Sequence, residues 1–120
     1  MTSPAAGAAT VRTLQEWEAC KEGAVDGAVL LQMGSPVCAL CPAFSAHIEE
    51  LKKERKFRHV YVNMHDAEED LCEELQVTRL PAYVLVSGDQ TLSAEGATPD
   101  QLAQSVHRVC YGVLVLDDDF

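Results

Sequence analysis

The chain has 120 residues, enough for one compact domain but not two, and no segment recurs at a fixed period, which excludes a solenoid. Nine Lys and Arg against nineteen Asp and Glu leave a formal charge of −10, which repels phosphate backbones and anionic lipid and argues against nucleic-acid and membrane partners. With 48% hydrophobic and 23% charged residues the composition is that of a folded globular domain, and five cysteines are too few for a disulfide-built scaffold.

Residues 1–10, with Pro4, Gly7 and four alanines, carry no apolar period and are expected to form a loose leader. They hold no apolar stretch of signal-peptide length, and no run in the chain approaches the ~18 to 20 residues that span a bilayer. The expected compartment is the reducing cytoplasm, with the Ala-rich, acid-poor residues 1–15 leaving organelle targeting open. Thr13 followed by Glu16 is a capping-box pattern, and Leu14, Trp17 and Ala19 or Cys20 then give a short amphipathic helix that stops near Gly23. Residues 28–33 are apolar except for Gln32, as in a strand covered on both faces, and Gly34-Ser35-Pro36 ends it.

Phe44, Ile48 and Leu51 fall at i, i+4 and i+7, which predicts a helix over about 41–55. Residues 59–64 alternate into a second buried strand, and a shorter helix follows over 70–75. Residues 82–86 and 91–94 form a hairpin around Ser87-Gly88-Asp89. Thr98-Pro99-Asp100-Gln101 supplies a cap, a first-turn proline and a capping-box glutamine, and opens a helix whose apolar face is Leu102, Val106 and Val109. This order predicts an α/β domain over 11–110, a central mixed sheet of four to five strands with helices on both faces, and an apolar and acidic tail over 111–120.

Cys38-Ala39-Leu40-Cys41 lies between a buried strand and an amphipathic helix. Two thiols three residues apart at a helix start can close a small disulfide, and exposed amides there favour thiolate at the first position. Thiol–disulfide exchange has that requirement, since one sulfur attacks and the second resolves the mixed intermediate. The bland alternative is two buried small hydrophobes in a helix cap. Zinc would need two more ligands, and Cys20, Cys72 and Cys110 are isolated, so no metal or cofactor is expected. Cys20 and Cys110 are expected to fill core, and Cys72 sits in an acidic helix that disfavours thiolate. His47, His59, His65 and His107 share no spacing and are expected at the surface or half-buried. The basic 52–58 and acidic 66–74 segments are expected to be solvated helix ends.

Thr78-Arg79-Leu80-Pro81 precedes the strand beginning at Ala82, and a cis peptide is a common solution for a proline at such an entrance. With the C-x-x-C between strand and helix, this T-x-x-P, the hairpin with Gly88 and the later Gly96, residues 11–110 resemble the thioredoxin family, implying its three-layer sandwich. The resemblance implies Cys38 as nucleophile, Cys41 as resolving thiol, Pro81 as the cis proline, and Leu80 as the backbone pairing with an extended substrate, with Val37 also in the substrate surface. It implies protein disulfide substrates and an upstream thiol reductase as partners.

The chain departs from the family's W-C-G-P-C by having Val37 and the internal Ala39-Leu40. Gln32 stands at the buried acid position and Tyr61 at that of its lysine partner; neither takes a proton from Cys41 near neutral pH, so resolution is expected to be slow unless another group substitutes. Pro42 lacks an amide, so either Cys41 caps a helix that starts late or the first turn is distorted, and both weaken activation of Cys38. Ala46 replaces the kinking proline. An alternative reading is therefore a redox-weak binding or structural subunit that docks through its groove and acidic tail. Leu116, Asp117, Asp119 and Phe120 resemble the C-terminal peptide by which ribonucleotide reductase small subunits dock to the large subunit, so residues 113–120 are a candidate docking tail for that subunit.

Overall fold

The computed structural model describes residues 9–22, 27–88 and 90–111. In chain order the elements are β1 (Ala9–Thr10), α1 (Leu14–Glu22), β2 (Ala28–Gly34), α2 (Cys41–Glu54), β3 (Phe57–Asn63), α3 (Glu69–Leu75), β4 (Ala82–Ser87), β5 (Gln90–Glu95) and α4 (Pro99–Tyr111). The five strands form one sheet in the order β1-β3-β2-β4-β5. β3 runs parallel to β1 and β2, whereas β4 is antiparallel to β2 and β5. Parallel strands need a crossover: α1 links β1 to β2, which lie on either side of β3, and α2 links β2 to its neighbour β3 over the opposite face of the sheet.

β2 is the centre of this arrangement. All seven of its residues are buried, and its alternation feeds two cores. Val29, Leu31 and Met33 pack with Trp17 of α1 and Leu71 of α3 on one face. Ala28 and Leu30 pack with Phe44 and Ile48 of α2 and Leu102 and Val106 of α4 on the other. The predicted helical stripes are thus the faces that meet the sheet, and three layers result.

Both predicted capping boxes form. The Thr13 amide donates to Glu16 Oε1 (3.1 Å) and the Glu16 amide to Thr13 Oγ1 (3.1 Å). At α4 the Thr98 amide donates to Gln101 Oε1 (2.9 Å) and the Gln101 amide to Thr98 Oγ1 (3.2 Å). Two expectations need correction. Ala9 and Thr10, placed in the loose leader by sequence, pair with Val60 and Tyr61 of β3, and the Val11 amide continues the ladder to Tyr61 O (2.9 Å). Both side chains are exposed, so this strand is held by backbone bonds and has no apolar pattern. His59, expected at the surface or half-buried, is fully buried.

The reason is its partner. Gln32 is the polar residue of β2 and is wholly buried, so its amide must bond within the protein. It donates through Nε2 to Ser45 Oγ of α2 (2.6 Å), and its Oε1 pairs with His59 Nε2 of β3 (2.8 Å). These bonds tie α2 to the two central parallel strands. Imidazole Nδ1 makes no hydrogen bond and lies 3.9 Å from Glu49 Oε2. Burial first, and then the Lys52 ammonium, push the His59 pKa from 6.5 down to about 4, so the ring is neutral at pH 7.

A depressed histidine pKa means that the unfolded chain binds more protons than the folded one between those two values, so stability is complete above pH 6.5 and is lost as pH falls toward 4. The glutamates with lowered values, Glu16 and Glu95, start from 4.5, which leaves the interval above pH 4.5 to His59 among these groups. Urea unfolding at pH 6.5 and pH 4.5 is expected to show a fall of roughly 1 kcal/mol per pH unit, and His59→Gln should flatten most of it.

Candidate functional site

The C-terminal end of β2 leads into residues 35–40, a tight turn in which the Cys38 amide donates to Ser35 O (3.2 Å) and the Val37 amide to Ser35 Oγ (3.2 Å). Helix α2 then begins at Cys41, with Leu40 as its N-cap and no side-chain capping bond. The helix therefore starts one residue earlier than a Cys41 cap would give. Pro42 in the first turn has no amide, and the Cys41 amide donates back to Cys38 O (3.3 Å). Of the first four positions, 40–43, this leaves the amides of Leu40 and Ala43 to favour a thiolate at Cys38.

Cys38 and Cys41 are joined in a disulfide with Cα atoms 5.4 Å apart. The two sulfurs' residues differ in depth: Cys41 is buried against the sheet, at 6% exposure, and Cys38 is half-buried. Among the described residues, Val37 and Leu40 on the same turn are the large apolar side chains left in water, at 81% and 65% exposure. The pair thus has an outer member inside an exposed apolar rim and an inner member inside the fold.

Gly34 lies beneath the inner cysteine. A Cβ at this position would sit 3.1 Å from Tyr61 Oη and 3.3 Å from Cys41 Sγ, so the missing side chain is what lets phenol and sulfur share the end of β2. Tyr61 is half-buried and burial raises its phenol pKa above 10. Gln32, two residues back on β2, stands opposite Tyr61 of β3 and Tyr83 of β4. Tyr83 Oη is occupied by Ser105 Oγ (2.7 Å) and Gln101 O (3.3 Å). At pH 7 Gln32 and Tyr61 are neutral, and neither is a base.

The third component is the loop entering β4. Met33 pairs with Ala82, which puts Pro81 beside Gly34 at the same end of the sheet as the cysteines. The Leu80–Pro81 peptide is cis. The carbonyls on either side of Leu80 are held, Arg79 O by the Gly96 amide (3.3 Å) and Pro81 O by the Ala97 amide (2.8 Å). Neither bond uses the backbone of Leu80. Glu95 Oε1 accepts from the Thr78 amide (2.9 Å), Thr78 Oγ1 (2.9 Å) and the Arg79 amide (3.3 Å). Those bonds, Thr78's first, hold the Glu95 carboxyl below its usual range.

The sequence singled out Val37, Cys38, Cys41, Leu80 and Pro81, and the fold carries them at one end of the sheet, on the turn and first residue of α2 and on the loop entering β4. It also singled out Gln32 and Tyr61, but for what they lack, and missed that Tyr61 Oη and Cys41 Sγ both border the open Cβ position of Gly34. The remaining thiols lie elsewhere: Cys20 is half-buried against the α1 side of the core, and Cys72 of α3 is half-buried with Sγ 3.8 Å from Ala67 O. The Cys110 side chain and the tail from 112 onward fall outside the described residues. Among the described residues no group of three or more His, Cys, Asp or Glu is placed to hold a metal ion, and no helix is long and apolar enough to cross a membrane. Because one carboxylate oxygen carries the Thr78–Arg79 loop, Glu95→Ala is expected to speed hydrogen exchange of the Thr78 and Arg79 amides while leaving those of β2 protected, as mass-spectrometric or NMR exchange would show.

Comparisons with known proteins agree with this fold. Residues 10–108 match the family model described as Thioredoxin. No curated protein matches. Among solved structures, the chain is similar to oxidised mitochondrial thioredoxin 3 of Saccharomyces cerevisiae, at 21% identity and a TM-score of 0.75, over 87% of this chain and 97% of that one. It is similar to the reduced thioredoxin pre-protein of Schistosoma mansoni, at 12% identity and a TM-score of 0.75, over 87% and 99%. Spinach chloroplast thioredoxin f gives 21% identity and a TM-score of 0.73, over 91% and 98%. Since the match spans nearly all of the folded chain, from β1 to α4, the protein belongs to the thioredoxin family.

Proposed function

We propose that the chain reduces disulfides in other proteins by thiol–disulfide exchange through Cys38 and Cys41. The observation that carries this reading is the unequal depth of a vicinal pair able to join: an outer cysteine ringed by exposed Val37 and Leu40, and an inner one under cover. In the reduced protein Cys38 gives up its thiol proton and the thiolate attacks a substrate disulfide; the substrate S–S bond breaks, one substrate sulfur leaves as a thiolate and takes up that proton, and a mixed disulfide forms. Cys41 then attacks Cys38, its thiol proton ends on the second substrate sulfur, and the Cys38–Cys41 bond forms. Two electrons have passed to the substrate, and an upstream thiol reductase returns them.

Val37 and the backbone of Leu80 beside Pro81 form the surface along which an extended substrate strand docks, since the bonds that fix this loop leave Leu80 unused. A reducing compartment such as the cytoplasm fits this cycle. The likeness of residues 113–120 to the ribonucleotide reductase docking peptide makes that enzyme's large subunit a proposed destination for the electrons.

A second reading, a redox-weak binding or structural subunit, is favoured by Pro42 and by the neutral Gln32 under the site. Insulin reduction separates the two. Turnover that disappears in Cys38→Ser is expected, whereas no cysteine-dependent turnover in the unaltered chain would establish the binding module. A peptide of residues 113–120 is expected to displace the small-subunit tail from the reductase large subunit, and fluorescence competition showing no displacement would remove that destination.

A further inference from the structure

The resolving step needs Cys41 to become a thiolate inside the fold, where burial disfavours charge. The family likeness leads one to look for a carboxylate beneath it, and Gln32 is not one. The geometry around Gly34 offers a different kind of help. Tyr61 Oη and Cys41 Sγ lie 3.1 and 3.3 Å from one point over a residue with no side chain, so nothing of Gly34 separates them.

We propose that in the reduced protein the Tyr61 hydroxyl donates a hydrogen bond to the Cys41 sulfur and steadies its thiolate for resolution of the mixed disulfide. The proposal rests on the exchange reaction above and assigns Tyr61 a part in its second half. A phenol is suited to the task by being a donor: it stabilises negative charge on sulfur without taking the proton, and its burial keeps it protonated through the neutral range. In the joined state Cys41 Sγ carries no charge and is a weak acceptor, so the bond belongs to the reduced form.

Several polar groups on this face of the sheet and on α2 are committed elsewhere. Gln32 and Ser45 bond each other, and His59 is tied to Gln32 and neutral. Tyr83 Oη is taken by Ser105, Asn63 Oδ1 accepts from the His65 amide, and Glu49 pairs with Lys52. The step balances within itself. Cys41 loses its thiol proton, its sulfur attacks Cys38, the Cys38–substrate bond breaks, and the departing substrate sulfur gains a proton; Tyr61 ends as it began.

The test is a thiolate-absorbance titration of Cys38→Ser, with Cys38→Ser/Cys41→Ser subtracted to remove the other thiols. Adding Tyr61→Phe is expected to raise the Cys41 midpoint by about one pH unit, a tenfold change, as for loss of one hydrogen bond to a charged group. Gly34→Ala, which sets a methyl 3.1 Å from Tyr61 Oη and 3.3 Å from Cys41 Sγ and crowds their approach, should move it the same way and decides the matter if Tyr61→Phe does not fold. In the dithiol protein Tyr61→Phe should slow resolution about tenfold at pH 7 and leave the first attack by Cys38 unchanged. An unmoved midpoint in a folded variant overturns the proposal. Insulin reduction missing from the unaltered chain would instead sink the exchange reading, and the titration would still decide Tyr61.

Discussion

The approach of the α2 N-terminus to the end of β2 is the contact on which the site depends. It is possible because Gly34 presents no Cβ to Cys41 and Tyr61. Both partners are fixed by the core. β2 is hydrogen-bonded on each edge and covered on each face, and α2 is seated by Phe44 and Ile48, which are almost wholly buried. Interiors packed to this density do not yield to a displaced helix without losing contacts on many sides. The depth of Cys41 is therefore a property of the hydrophobic core, and the shallower position of Cys38 follows from its place in the turn above.

The same core was the part most legible in the sequence. The apolar run of β2, the i, i+4, i+7 stripe of α2 and the two capping boxes each have a local physical cause, and each forms where that cause puts it. β1 was invisible because its two side chains face solvent and its stabilising bonds come from the backbone of β3. His59 was misjudged for a related reason. On β3, Phe57, His59, Tyr61 and Asn63 share one face while Val60 and Val62 share the other, and both faces are covered. Alternation in such a strand says nothing about which face meets water. The usable clue lay on β2 instead: a glutamine in a fully buried strand requires partners, and a polar residue on a neighbouring strand is where they are found.

The C-x-x-C and T-x-x-P segments were legible as motifs, and the topology explains why they belong together. β2 and β4 are antiparallel neighbours, so the end of one and the start of the other share an edge of the sheet. What the motifs did not carry was the environment beneath them, since that depends on register. Tyr61 stands opposite Gln32 only because β3 pairs with β2 residue for residue from Ala28 to Gly34; a shift of one would turn the phenol to the opposite core.

Gln32 couples the two roles of this face. An ionised carboxylate there would have to be buried under the cysteines, at a cost that rises with its desolvation, and would place negative charge near a sulfur that must itself become negative. The amide avoids both penalties and uses its hydrogen-bonding capacity to join Ser45 of α2 to His59 of β3. The bond pattern that secures the helix is thus the one that removes an acid from beneath the disulfide. A donor at the very end of the sheet can then steady a thiolate at Cys41, and the residue whose hydroxyl arrives there is the tyrosine paired with that glutamine.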